Sequence, residues 1–278
     1  MGSPTPLAII AGSGALPRLL ATACKTQTRP YILVEFAGQT LDWAENHPRL
    51  RADFHQLGAM FDALLQAGCR EAVFAGAMQR PHLDLQRLDT SSTRLVQALS
   101  AGDDTTLRAA ADLFQSAGLT VRAAQDICPE LLIGAGSLGQ VVPAAVDLAD
   151  ITRAMEITRA LGRLDLGQGA VVAQGLCLGL ESLQGTDQML AFVARSAGDL
   201  RPQADGAKGV LVKAAKPQQD RRFDLPAIGA HTIGLAARAG LAGVALSAGA
   251  GLLLDRQATL SAADRLGLFV YGVADPGQ

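Results

Sequence analysis

Long apolar runs, aromatic rings and paired cysteines are what this chain lacks, and each shortage removes a class of protein. Its longest nearly uncharged stretch, residues 239–254, mixes Gly and Ser into its apolar residues and stops short of the ~20 residues that span a bilayer. It is read as core, with no spanning helix anywhere. The four cysteines (Cys24, Cys69, Cys128, Cys177) lie far apart, with no CxxC and no paired His. Neither a zinc knuckle nor a disulfide scaffold follows, and a reducing cytoplasm fits. Charge is sparse, at 18% of residues, and nearly balanced at −2. No broad basic field exists to hold nucleic acid, although a local cationic pocket is compatible with these numbers. The opening MGSPTPLAII lacks the basic region and apolar core of a secretory signal, so no export is expected.

What the chain does have is Ala, Leu, Val and Gly: 49% hydrophobic residues and 30 glycines among 278 residues. That composition and length favour α/β architecture and two domains. LAIIAGSG, LPRLLATACK and YILVEF read as strand and turn, helix, strand; FDALLQAG, REAVFAG, TTLRAAADLFQSAG and LTVRAAQDI continue the alternation. Alternation of this kind predicts a parallel sheet covered by helices. The glycine-rich IGAGSLGQ (133–140) interrupts it and is the candidate linker. The expected division is a Rossmann-like α/β domain over 1–132, a linker at 133–137 and a second α/β domain over 138–278. In the second, DLADITRAMEITRAL reads as a helix, GAVVAQGLCLGL as a strand with glycine interruptions, and TDQMLAFVARSAG as a helix. GVLVKAA follows as a strand and TIGLAARAG as a helix; then come the strands GVALSAG and LLLDR, a helix ATLSAADRLG capped by Ser261, and a last strand LFVYGV.

Several segments carry candidate chemistry. In AGSGALP, Gly12, Ser13 and Gly14 form a strand-to-helix turn whose N–H groups approach a phosphate, and Glu35 stands where a ribose-binding acid belongs. Pro17 occupies the place of the third glycine of a dinucleotide fingerprint, so a simple tight turn and another phosphate ligand both remain open. Gln79 and Arg80 emerge after a strand, where open α/β sheets bind ligands. Asp103 and Asp104 start a helix: one satisfies the cap, and the other is left for substrate or metal. LDLGQGAVV offers Gln168, while ESLQGTDQML places Glu181, Thr186 and Asp187 around a turn into a helix, where Thr186 and Asp187 serve either as cap residues or in catalysis.

The segment GVLVKAAKPQQDRRFDLPAIG (209–229) is the densest in charge. Lys213, Lys216, Arg221 and Arg222 accompany only Asp220 and Asp224, with Pro226 preventing regular structure. Mutual repulsion of four cations calls for an outside anion, and a phosphorylated or metal-bound ligand supplies it. Asp224 inside this group is the candidate to bind Mg²⁺ or orient water, with Asp187 as the other metal ligand.

AGSGALP, FAGAMQRP, GDDTTLR, LDLGQGAVV, QGTDQM, VKAAKPQQDRRFDLPAIG and AGLAGVAL, in that order, resemble the LpxI family of UDP-2,3-diacylglucosamine pyrophosphatases, over nearly the whole chain. The resemblance implies a Mg²⁺-dependent hydrolase of lipid A synthesis that splits a UDP-linked diacylated glucosamine lipid into UMP and lipid X. It also implies two domains closing on the lipid, a homodimer, and peripheral association with the cytoplasmic face of the inner membrane. On that reading Asp224, Lys213 and Arg221 are catalytic. Gly12, Ser13, Gly14, Gln79, Arg80, Asp104, Gln168, Thr186, Lys216, Gln219 and Arg222 bind substrate, and Asp187 and Asp224 hold the metal. The family usually carries Glu where Gln184 stands, and a basic residue near Ala191 and Phe192. Two other classes fit the residues alone: an oxidoreductase built on Gly12 and Glu35, and a carrier that holds a UDP-lipid without cutting it.

Overall fold

The computed structural model describes residues 4–78, 83–98, 103–203, 206–216, 220–223 and 225–274. It separates into two compact units. The first comprises residues 1–129 with 220–223, the second 130–219 with 224–278.

In the first unit, β1 (Leu7–Ala11), α1 (Leu16–Thr26), β2 (Tyr31–Phe36), β3 (Arg49–Ala52), α2 (Leu57–Gln66) and β4 (Glu71–Ala75) follow one another, then α3 (Thr90–Ala98), α4 (Asp103–Ser116), β5 (Thr120–Arg122) and α5 (Ala124–Ile127). All strand pairs are parallel, in the order β3-β2-β1-β4-β5. This is the strand order of doubly wound sheets, which open their ligand crevice beyond the carboxyl ends of the strands. Every residue of β1 is buried, as a central parallel strand covered on both faces must be. The edge strand β3 (RLRA) escapes sequence recognition because half its residues are solvated arginines. LTVRAAQDI divides differently from expectation: the strand ends at Arg122, and AAQDI turns into α5, where Asp126 accepts from the Ala123 N–H.

The second unit contains β6 (Gly136–Ser137), α6 (Ala145–Arg163), β7 (Gly169–Ala173), β8 (Leu176–Leu180), α7 (Gly185–Leu200), β9 (Val210–Lys213), β10 (Ala227–Ile228), α8 (Ala230–Arg238), β11 (Gly243–Ser247), β12 (Leu252–Leu253), α9 (Arg256–Leu266) and β13 (Phe269–Val273). Its six-stranded sheet runs β6-β13-β11-β9-β7-β8, with β9, β11 and β13 parallel and β7 reversed beside β9. Alternate residues of the central strands serve two cores: Leu211, Val244 and Leu246 one, Val210, Val212 and Ala245 the other.

Three sequence expectations change here. GAVVAQGLCLGL is a hairpin rather than one strand, turning through Gln174 (φ 53°) and Gly175 (φ 79°). Two left-handed residues make the tight turn that matches strand twist. The glycine-rich stretch read as a linker contributes β6, paired antiparallel to β13, and a side chain at Gly272 would overlap the Gly134 carbonyl. Asp255 caps α9, its carboxylate accepting from the Ala258 N–H, whereas Ser261 lies inside the helix.

Candidate active site

In the first unit, the turn after β1 is tied to the end of β4. Gly12 N–H donates to Ala75 O at 2.7 Å, Ser13 N–H to Ala77 O at 2.8 Å, and the Ser13 hydroxyl to the same Ala77 oxygen at 3.1 Å. A side chain at Gly12 would overlap the Ala77 carbonyl, and one at Gly76 the Ser13 carbonyl. These glycines are therefore required by close backbone approach, and the Gly12 and Ser13 N–H groups are donated within the fold. Gly14, at φ 89°, takes the conformation glycine tolerates best and leads into α1. Glu35 is buried, with Arg49 Nη1 at 3.5 Å and the Leu41 N–H at 3.4 Å from its carboxylate. Gln79 and Arg80 lie outside the described residues, and of Asp104 the backbone alone is described, in the first turn of α4.

The second unit collects its polar groups at one edge of its sheet. β9 ends at Lys213, paired in register with Gly169, the first residue of the reversed β7. β8 ends there too, Ala170 facing Leu180, so Glu181 arrives beside Gly169 and its N–H donates to Gly169 O at 2.9 Å. The next turn starts α7 at Gly185 (φ 77°) and delivers Thr186. The result is a closed triangle. Lys213 Nζ donates to Thr186 Oγ1 at 2.7 Å, Thr186 Oγ1 donates to Glu181 Oε1 at 2.9 Å, and the ammonium lies 3.4 Å from that same oxygen. Lys213 and Glu181 are both buried. Glu181 Oε2 and Gln168 Oε1 are buried acceptors without a hydrogen-bond partner among the described residues.

Outside the triangle, Asp187 in the first turn of α7 reaches His231 in the first turn of α8, with Oδ2 and Nε2 3.2 Å apart, and both are largely exposed. Lys216 pairs with Asp165. Gln184 fixes the turn before α7, its Nε2 donating to Leu180 O at 2.8 Å and its Oε1 accepting from the Ser182 N–H and hydroxyl. Phe192 is half exposed.

Residues 220–223 count with the first unit. Arg222 forms a forked pair with Asp220, Nη2 to Oδ2 at 2.6 Å, and this hydrogen-bonded guanidinium holds the Asp220 carboxyl below the usual carboxylate range. The Arg222 guanidinium also stands 4.9 Å over the Phe223 ring, and Phe223 meets Phe74 edge-on. The Gln125 amide donates to Arg221 O at 3.0 Å, while the Arg221 side chain is exposed.

These contacts correct the expectation of four cations short of anions. Lys213 has Glu181, Lys216 has Asp165 and Arg222 has Asp220. Two of those carboxylates come from 32 and 51 residues upstream, beyond the reach of local charge counting. The Thr186 hydroxyl is engaged as donor and acceptor inside the triangle. Gln219 and Asp224 lie outside the described residues. Sequence reading missed His231, which no pattern marks, and gave Glu181 no role, although its five-residue spacing from Thr186 across a glycine turn was the available signal.

For a divalent metal, no group of three or more His, Cys, Asp or Glu side chains gathers among the described residues. The exposed Asp187 carboxylate is a hard oxygen donor of the type magnesium takes singly, completing its shell with water and substrate phosphates.

Comparison with known proteins adds the final findings. Residues 6–131 match the family model described as the LpxI N-terminal domain, and residues 134–271 that of the LpxI C-terminal domain. A Caulobacter vibrioides protein named UDP-2,3-diacylglucosamine pyrophosphatase LpxI is 42% identical over 279 aligned positions, covering 98% of each chain.

Proposed function

The chain belongs to the LpxI family, and from that membership we propose that it hydrolyses the diphosphate bond of UDP-2,3-diacylglucosamine in lipid A synthesis. The observation that carries this reading is the end-to-end identity of 42% with a relative of that activity. A water oxygen bonds to one phosphorus as the bridging P–O bond breaks; the products are UMP and 2,3-diacylglucosamine 1-phosphate.

The chemistry needs negative charge stabilised on the phosphate oxygens and a water aligned for attack. Lys213, directed by Thr186 and Glu181 at the carboxyl end of β9, is the cation we assign to the diphosphate. Asp224 is assigned to the water or the metal, and Arg221 to the developing charge. Gly14 at the start of α1, with Gln79, Arg80, Asp104, Gln168, Lys216, Gln219 and Arg222, completes the proposed substrate contacts. Mg²⁺ fits Asp187, and when bound it would neutralise phosphate charge. No helix among the described residues is long and apolar enough to cross a membrane, so contact with the lipid's membrane is proposed as peripheral, at its cytoplasmic face, by a homodimer.

Incubating the protein with UDP-2,3-diacylglucosamine and Mg²⁺ tests the reading through UMP release. Product should form with metal and stop with chelator, and Asp224→Ala should lose about 10²-fold or more in turnover while remaining folded. No UMP from the wild-type chain overturns the activity; near-normal turnover by Asp224→Ala removes that residue from the mechanism.

A further inference from the structure

Within the proposed reaction, we infer that Glu181 is a positioning residue: a buried carboxylate that fixes Thr186 and, with it, Lys213. The inference rests on the functional reading above for its kinetic arm alone.

Three observations lead there. First, Glu181 Oε2 is buried without a hydrogen-bond partner among the described residues, and it lies so close over Gly169 that a methyl group there would overlap it. Solvent does not reach that oxygen. Second, the other oxygen receives the Thr186 hydroxyl and faces the Lys213 ammonium. Among the described residues, Glu181 is the one carboxylate within ion-pair distance of Lys213. Third, the direction of the bonds is determined. An ammonium donates and cannot accept, so Thr186 must accept from Lys213 and turn its own proton toward Glu181. The carboxylate thereby sets the hydroxyl, and the two together set the ammonium.

Burial raises the stakes of this arrangement. A cation removed from water needs its counterion and fixed hydrogen bonds, and loss of one partner leaves the other uncompensated. Gly167 is required by Glu181, since a side chain there would overlap the Glu181 carbonyl, and a side chain at Gly169 would push the Glu181 carboxylate aside. The glycines of LDLGQG thus make room for Glu181, Gly167 for its backbone carbonyl and Gly169 for its carboxylate, a role distinct from phosphate binding.

The test compares Glu181→Gln, Thr186→Val, Thr186→Ser and Gly169→Ala in steady-state kinetics, with circular dichroism as a check on folding. Glu181→Gln and Thr186→Val should each lower kcat about 10- to 100-fold with KM changed less than about threefold, and the double variant should lose little more than either alone. Thr186→Ser, which keeps the hydroxyl, should stay within about threefold of wild type, whereas Gly169→Ala, which alters no polar group, should resemble Glu181→Gln. Wild-type kcat in Glu181→Gln, or multiplying losses in the double variant, overturns the inference. Should Glu181→Gln fail to fold, the Thr186→Ser and Thr186→Val pair decides, equal activities in the two overturning the role. An arm without turnover separates this inference from the functional reading: labelling of Lys213 by an amine-selective reagent, read by peptide mass spectrometry. Lys213 should label several-fold faster in Glu181→Gln, because an amine released from its carboxylate and from the hydroxyl that carboxylate orients moves more freely to meet the reagent. Unchanged labelling overturns the positioning role even if UMP release is normal; changed labelling upholds it even if the substrate is another.

Discussion

At the scale of the residue, much of the fold's polar chemistry is carboxylates satisfying backbone N–H groups. Asp89 is the clearest case. Its Oδ1 accepts from Ser92 N–H and its Oδ2 from Gly58 N–H, each at 2.7 Å, so one side chain serves the first turns of both α2 and α3. Burial pushes its carboxyl up, but the bonds from Ser92, Gly58 and Ser91 together outweigh burial and hold it below the usual range. A carboxylate whose folded value is depressed contributes stability fully present above its unfolded value near pH 4, and lost as pH falls through the folded value. Asp89→Ala should therefore cost about 1–2 kcal/mol in urea unfolding at pH 7. Its stability should also fall less between pH 4 and pH 2 than that of wild type. Equal slopes in that window would mean that Asp89 carries none of the acid sensitivity.

At the scale of the element, the β7–β8 hairpin shows how a turn poor in the usual sequence signals is held. Gln174 takes a left-handed conformation that Asn or Gly adopts more readily. Its side chain compensates by bonding Gln203 N–H, Gln203 O and Ala207 O, and the buried Asp150 on α6 accepts from the N–H groups of both Gln174 and Gly175, at 2.9 and 2.7 Å. The hairpin was illegible in the sequence because these anchors lie 24 residues or more away along the chain; Gln-Gly alone signals no turn strongly. Its position matters for the proposed chemistry, since β8 ends at Glu181. Asp150→Ala leaves two amides without their acceptor and should destabilise by about 2–4 kcal/mol. Hydrogen exchange at Gln174 and Gly175 should accelerate ahead of β9 and β11. If those two amides exchange at wild-type rates in the variant, the α6 anchor is dispensable.

At the scale of the whole molecule, the sequence was most legible where physics is local. Uninterrupted apolar runs such as LAIIA and GVLV mark strands buried on both faces, and glycines at Gly68, Gly118 and Gly267 mark helix ends through their left-handed conformations. It was least legible where partners come from afar: β3 hidden by its arginines, the Glu181–Lys213 pair, and above all residues 220–223. Those four residues stand some 90 positions beyond the rest of the first unit. Their tie is an aromatic chain, Phe223 against Phe74 and Phe74 against Phe114, with Gln125 bonded to the Arg221 carbonyl. An N-terminal fragment ending at Leu131 has the family's first domain by sequence match yet lacks Phe223. Its melting temperature should fall several degrees below that of the same unit in the full chain, the effect of about 1 kcal/mol of lost aromatic burial and packing. Phe223→Ala in the full chain should reproduce part of that loss, and trypsin should then cut faster after Arg221 and Arg222, because a turn held by fewer contacts opens more often. A Phe223→Ala protein with wild-type melting and unchanged cleavage would mean that the turn belongs to the first unit by position without stabilising it.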